Sequence, residues 1–215
     1  MTRALGSRRD PLSRERVLRA AMDVADAEGL EAVTMRRVGH ALGVEAMSLY
    51  NHVGGKDELL DGMADLLVNE IETPPADVEW KEAIRRRAWS GRGVVRRHPW
   101  APALLASRPQ VRLPMVAYLD GVTGCLMRAG FSAQLAHTAI HVLDSRVLGF
   151  TRDLFDPGEQ GLPDPALLEA MTDGTLPYSQ RVMAEAEHDD DVEFAFGLDL
   201  ILEGLERARD RERGG

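Results

Sequence analysis

The chain has 215 residues, enough to bury a real core in one or two domains, and its 44% apolar content excludes a disordered chain. The only cysteine is Cys125, which excludes an internal disulfide framework and a cysteine-based zinc site; no apolar run is long enough to span a bilayer. Net charge is −9, yet residues 1–56 hold nine Arg and Lys against seven Asp and Glu, so a head of +2 precedes a remainder of −11 and only the head suits phosphate. Arg3, Arg8 and Arg9 occupy the place of an apolar signal core, so a cytoplasmic protein with no membrane partner is expected.

The pattern is helical nearly throughout. Residues 1–12 read as a flexible basic tail. Ser13 caps a first helix with the apolar stripe Val17, Leu18, Ala21, Val24 and Ala25, and Gly29 stops it. Thr34 caps a second helix, about Met35 to Ala41. After the tight turn Leu42-Gly43-Val44 a third runs from about Ala46 to His52. Gly54-Gly55 breaks it. A fourth helix, Lys56 to about Ile71, ends at Thr73-Pro74-Pro75 and closes a unit of residues 13–72.

Residues 73–215 read as a larger helical region. Its helices are Glu79 to Arg97, a short one to about Ser107, Val111 to Ala129, a long one from the Ser132 cap to about Leu154, and Val192 to about Arg211. Asp156 to Pro177 reads as a loop, with one turn near Pro165 to Met171. No strand alternation or internal repeat stands out.

Thr34 to Lys56 carries the most information. The third helix is too short to stand alone. Leu49 and Val53, four apart, face inward with Val44, which leaves Ala46, Met47, Ser48, Tyr50, Asn51 and His52 facing out beside nearby cations. This is the expected form of a DNA recognition helix after a helix–turn–helix corner.

The stretches Val17-Leu18-Arg19-Ala20-Ala21, Glu28-Gly29-Leu30-Glu31-Ala32-Val33-Thr34-Met35-Arg36, Leu42-Gly43-Val44 and Leu49-Tyr50-Asn51-His52-Val53, followed by Lys56, resemble the DNA-binding domain of the tetracycline-repressor family. The resemblance implies that Thr34 and Arg36 start the second helix against the phosphate backbone. It also implies that Ser48, with Ala46 and Met47, approaches base edges, and that Tyr50, His52 and Lys56 reach phosphates. Such side chains can do this: Tyr, His and Lys donate to phosphate oxygens, and Ser reads a base edge. Arg37 is either a further phosphate contact or a solvated helix residue. His40 reads as a surface residue.

The body also resembles the regulatory domain of that family, at Trp80-Lys81-Glu82-Ala83, His98-Pro99-Trp100, Ser107-Arg108-Pro109 and Phe196 to Leu205. One departure stands out. Where tetracycline-binding members hold the drug's metal ion with a histidine, the nearest counterpart here is Leu105, so tetracycline is not the expected ligand.

Trp89, Arg92, Trp100, Leu104, Met115, Leu119 and Met127, with His137 and His141, are candidates for an apolar pocket with a few polar groups; each apolar one also fits ordinary core. Two helical stripes are candidates for a subunit interface: Leu135, Ala139, Val142, Leu143 and Phe150, and Phe194, Leu198, Ile201 and Leu205. Either could equally be core. The family pairs its last two long helices across a two-fold axis, which fits both stripes.

The expected fold is all-α, a helix–turn–helix DNA-binding domain followed by a helical ligand-binding and dimerisation domain. The expected function is a homodimeric repressor on a palindromic double-stranded operator, released by a small, largely apolar ligand, with no cofactor and no metal. A rival is a metal-dependent helical enzyme using His137, His141 and Asp144, which share one helix face. It leaves Thr34 to Lys56 unexplained and has no nucleophile–base pair. A DNA binder without a ligand leaves the acidic body unexplained.

Overall fold

In the computed structural model, residues 11–108, 112–149, 166, 169–170 and 173–214 are described. No strand occurs among them, and none of their helices is long and apolar enough to cross a membrane. The expected all-α fold is what is found. The chain divides into two compact units, Met1–Leu148 and Gly149–Gly215.

In the first unit Ser13 caps α1 (Arg14–Glu28) by accepting from the Arg16 N–H at 3.2 Å. Gly29, at φ 85°, ends it in a conformation that an L side chain rarely adopts. A 3₁₀ turn, Leu30–Ala32, leads to Thr34, whose hydroxyl accepts from the Arg37 N–H at 3.1 Å and starts α2 (Met35–Leu42). Gly43 closes α2 in the left-handed conformation, φ 68° and ψ 35°. Next come α3 (Ala46–Leu49) and α4 (Lys56–Asn69). The third helix is shorter than expected. Tyr50 to His52 are turn residues, although the Val53 N–H still donates to the Leu49 carbonyl at 3.0 Å.

The corner between α2 and α3 is tight. A Cβ at Gly39 would lie 3.0 Å from the Val44 carbonyl oxygen and 3.2 Å from the Ala46 nitrogen, both backbone atoms. Gly39→Val is therefore expected to cost about 1–3 kcal/mol by overpacking and to push α3 out of place. Thermal denaturation measures the first effect. An unchanged melt would mean that α3 gives way freely.

Glu79 caps α5 (Trp80–Arg97) by accepting from the Lys81 and Glu82 N–H groups at 2.9 and 3.2 Å. After His98 come α6 (Ala101–Ser107), α7 (Leu113–Arg128) and α8 (Ala133–Leu148). The Ser132 hydroxyl accepts from the Leu135 N–H at 3.1 Å, as expected of a cap.

One apolar core joins α1 to α4 with the end of α5 and with α6. It takes Val17, Leu18, Ala21 and Val24 of α1, Val38 of α2, Leu49 of α3 and Leu59, Met63 and Leu67 of α4. It continues into Val94, Trp100, Ala101 and Leu104. Polar ties reinforce it. Asp26 Oδ1 accepts from Trp100 Nε1 at 2.7 Å and lies 2.7 Å from His98 Nδ1, so α1 is fastened to the α5–α6 junction. Asp57, Asp61 and Asp65 form a stripe on α4. Arg108 pairs with the first two at 3.1 and 3.2 Å, and Arg112 with the last two at 3.2 and 2.8 Å.

The second unit holds α9 (Pro177–Glu185) and α10 (Asp190–Gly214). The sequence reading has no helix at Pro177–Glu185. Its start is nonetheless marked, because a proline at the first helical position has a preset φ and loses no hydrogen bond. α10 is capped by Asp189, which accepts from the Asp191 and Val192 N–H groups at 2.8 and 3.0 Å. Acidic residues fill its first turn and Arg211 and Arg213 its last, matching the helix dipole. The loop expected at Asp156 to Pro177, the end of the long helix beyond Gly149 and the first ten residues of the basic tail lie wholly or largely outside the described residues.

Candidate DNA-contact face and ligand cavity

Two fully buried residues, Leu49 and Val53, pin the short α3 into the core, with Val44 packed partly buried beside them. This fixes which side looks out. Met47 is 74% exposed and Tyr50 47% exposed. Asn51 is exposed, and Ala46, Ser48 and His52 are half-buried. Thr34, Arg36 and Lys56 are exposed nearby, and among the described residues no ion pair engages Arg36 or Lys56. Of the sequence-derived set, Thr34, Arg36, Met47, Tyr50, Asn51 and Lys56 are open to solvent.

Arg37 is ion-paired. Its guanidinium forks onto Glu28, with Nε 2.9 Å from Oε1 and a closer contact from Nη2 to the same oxygen. This hydrogen bond holds the Glu28 carboxyl below its ordinary value and the Arg37 guanidinium above its own. Arg37 ties α2 to α1, a reading that spacing alone had left open. His40 is exposed, as expected.

A cavity of about 450 Å³ opens between the start of α5, the segment before it and the second half of α7. Trp80, Ala83, Ile84 and Arg87 line it from α5, and Asp120, Gly121, Gly124, Cys125 and Arg128 from α7. None of the nine residues expected to form a pocket lines it. Trp100 and Leu104 are committed to the core shared with the head. Trp89 is partly exposed with the Arg92 guanidinium over its ring, and Met127 is exposed. Met115 and Leu119 are half-buried on other faces of α7. Two of the expected helices, α5 and α7, line this cavity with other faces than the expected ones, and α6 and α8 do not line it. A usable signal was present in Gly121 and Gly124, one turn apart, because glycines on a packed helix leave space.

His137 and His141 are exposed on α8, their rings edge-to-face at 4.7 Å. Among the described residues no group of three His, Cys, Asp or Glu is placed to hold a metal ion. Asp144 faces a smaller cavity with Arg87 and Tyr118. Burial raises its carboxyl, against the lowering effect of His141 and Arg87, and burial pushes the Tyr118 phenol up to about 12.

The expected interface stripes are placed as follows. Phe194, Leu198 and Leu205 are buried within the chain, together with Leu202, and Ile201 is half-buried. On α10 it is Val192, Phe196 and Leu200 that are exposed. On α8 Leu135 is half-buried, Ala139 and Leu143 are buried and Val142 is exposed; Phe150 lies outside the described residues.

The family described as bacterial regulatory proteins, tetR family, matches residues 17–63, and the tetracyclin repressor-like C-terminal domain matches residues 73–209. The HTH-type transcriptional repressor DrrR1 of Streptomyces coeruleorubidus is 34% identical over 217 residues, covering 94% of this chain and 80% of that protein. The tetracycline repressor protein class C of Escherichia coli is 30% identical over 213 residues, covering 92% of each. Among solved structures, the Streptomyces coelicolor TetR family protein ActR in complex with (S)-DNPA superposes with a TM-score of 0.72 at 26% identity, covering 93% of this chain and 99% of that one.

Proposed function

This chain belongs to the tetR family of bacterial regulatory proteins, and on that premise we propose that it is a homodimeric repressor released from a palindromic operator by a small molecule. It is a transcriptional repressor of that family and not an enzyme, since its relatives are repressors. The rival metal-dependent reading with His137, His141 and Asp144 has no support.

The observation that carries the proposal is the anchored α3. With Leu49 and Val53 buried, Met47, Ser48, Tyr50 and Asn51 stand ready for a major groove, and Arg36 and Lys56 flank them without ion pairs among the described residues. Ser48, Ala46 and Met47 would meet base edges. Thr34, Arg36, Tyr50, His52 and Lys56 would hold phosphates. In a dimer the two heads would take half-sites about one helical turn apart, ~34–36 Å. Residues 13–72 would form the DNA-binding head and residues 73–215 the ligand-binding and dimerising body. On α10 the open face of Val192, Phe196 and Leu200 is the surface we assign to the two-fold contact.

A body ligand agrees with the solved complex of ActR and with the cavity between α5 and α7. Leu105, half-buried against the core, offers no metal ligand, which speaks against tetracycline. In this reading the Arg108 and Arg112 pairs to the α4 aspartates would carry the ligand's effect to the head. A ligand preferring the released state by about 1–3 kcal/mol would shift DNA affinity by about 5–150-fold.

The test is operator binding by variant heads. Lys56→Ala and Tyr50→Phe should each weaken binding to all sequences alike, by on the order of 1 kcal/mol, and Lys56→Ala should lower the salt slope by about 0.9. Ser48→Ala should instead change the ranking of operators. Unchanged affinity in folded Lys56 and Tyr50 variants would remove α3 from the DNA.

A further inference from the structure

Arg87 is 7% exposed, yet among the described residues no carboxylate lies within ion-pair distance of it. Its Nη2 donates to the Tyr118 carbonyl at 3.2 Å and its guanidinium sits 4.5 Å from the Tyr118 ring centroid. Its Nε is buried with no hydrogen-bond partner. A buried, directly unpaired cation with a free donor is costly unless something completes it.

Nε has almost no accessible surface, so a partner in the cavity would meet the guanidinium at its Nη atoms. Arg87 lines both the larger cavity and the small one beside Asp144. An ideal Cβ at Gly121 would stand 3.1 Å from Arg87 Nη1, and one at Gly124 would stand 3.0 Å from Arg128 Nη1. Two glycines on one face of α7 thus make space for two guanidiniums at the cavity. Among the described residues Asp120 is the single carboxylate in its lining, and it is exposed. Beside Arg87 the same face of α5 is apolar, with Trp80, Ala83 and Ile84, and Val78 adds to it from the segment before; Trp80 is held edge-on to Phe131 at 5.0 Å. Asp144, the carboxylate whose field reaches Arg87, lines the smaller cavity and not this one. The volume, about 450 Å³, lies within the ~300–1,000 Å³ usual for small-molecule sites.

We propose that this cavity takes an aromatic carboxylic acid, with its ring against Trp80 and Ile84 and its carboxylate on Arg87. The assignment rests on the reading of this cavity as the repressor's ligand site and names the class of ligand that site takes.

Cys125, the only cysteine, lines the same cavity and serves as a local reporter. The experiment follows alkylation of Cys125 by N-ethylmaleimide, read by mass, without DNA. The probes are 2-naphthoate and the neutral, equally shaped 2-naphthamide. A charge-assisted bond to buried Arg87 predicts protection by naphthoate at concentrations about tenfold or more below those needed for naphthamide. Arg87→Gln should erase that difference and leave naphthamide protection in place. Gly121→Ala, whose Cβ crowds the Arg87 guanidinium without removing its charge, should weaken naphthoate selectively; it decides the matter if Arg87→Gln fails to fold. Equal protection by the two probes in the wild type, a naphthoate preference surviving in folded Arg87→Gln, or equal weakening of both in Gly121→Ala would overturn the anion assignment. The cavity would remain the ligand site in those cases, whereas protection by neither probe would overturn both.

Discussion

Leu198→Glu is expected to cost on the order of 3–5 kcal/mol of folding stability, because it places an unpaired carboxylate where the side chain is 1% exposed. Phe196→Glu, two residues away, should behave in the opposite way. Phe196 is 66% exposed in the single chain, so the charge stays in water there and the monomer's own fold should change by no more than about 0.5 kcal/mol. If the open α10 face is the two-fold contact, Phe196→Glu should sediment as a folded monomer that has lost tight operator binding. Circular dichroism and sedimentation velocity on the pair separate the two roles. A dimeric Phe196→Glu protein would place the interface elsewhere, and a Leu198→Glu protein of parental stability would mean that the stripe is not core.

The second large effect is expected at Trp100. Trp100→Ala removes a buried ring from the core shared by head and body and leaves Asp26 with His98 alone, at an expected cost of about 3–5 kcal/mol. Trp100→Phe keeps most of the apolar area and loses one hydrogen bond, so about 1 kcal/mol is expected. Denaturant unfolding of both variants measures the contrast. Trp100 does not line the cavity, so naphthoate protection of Cys125 should survive in Trp100→Phe. A loss under about 1 kcal/mol in Trp100→Ala would show that the ring is not part of the core.

The legible parts of this molecule are local. Ser13, Thr34 and Ser132 announce their helices because an N-cap acts on the next three residues, and Gly29 and Gly43 announce the stops. The outward side of α3 was readable from Leu49 and Val53, four apart. What was not legible depends on what stands opposite. On α5 both Trp80-Ala83-Ile84-Arg87 and the set Trp89-Arg92 have helical spacing, and only the arrival of α7 decides which one meets the cavity. On α10 the stripes through Leu202 and Ile201 differ by one residue, and the structure buries Leu202 while leaving Ile201 half-buried. Arg37 finds Glu28 across nine residues and a turn, beyond any i, i+4 rule. The Asp57, Asp61 and Asp65 stripe is plain on a helix, but its arginine partners lie about fifty residues on.

The core of the head does not close at residue 72. Val94, Trp100, Ala101 and Leu104 belong to it, and the Asp26–Trp100 hydrogen bond joins residues 74 positions apart. The order of synthesis therefore matters. While the chain emerges amino end first, α1 to α4 are complete as sequence but lack part of their apolar lining, and the entropy of that long loop must still be spent. A nascent head of this kind would become a firm DNA reader only once α6 has been made. Transcriptional control by such a chain begins with a folding event in the body, well before any operator is met.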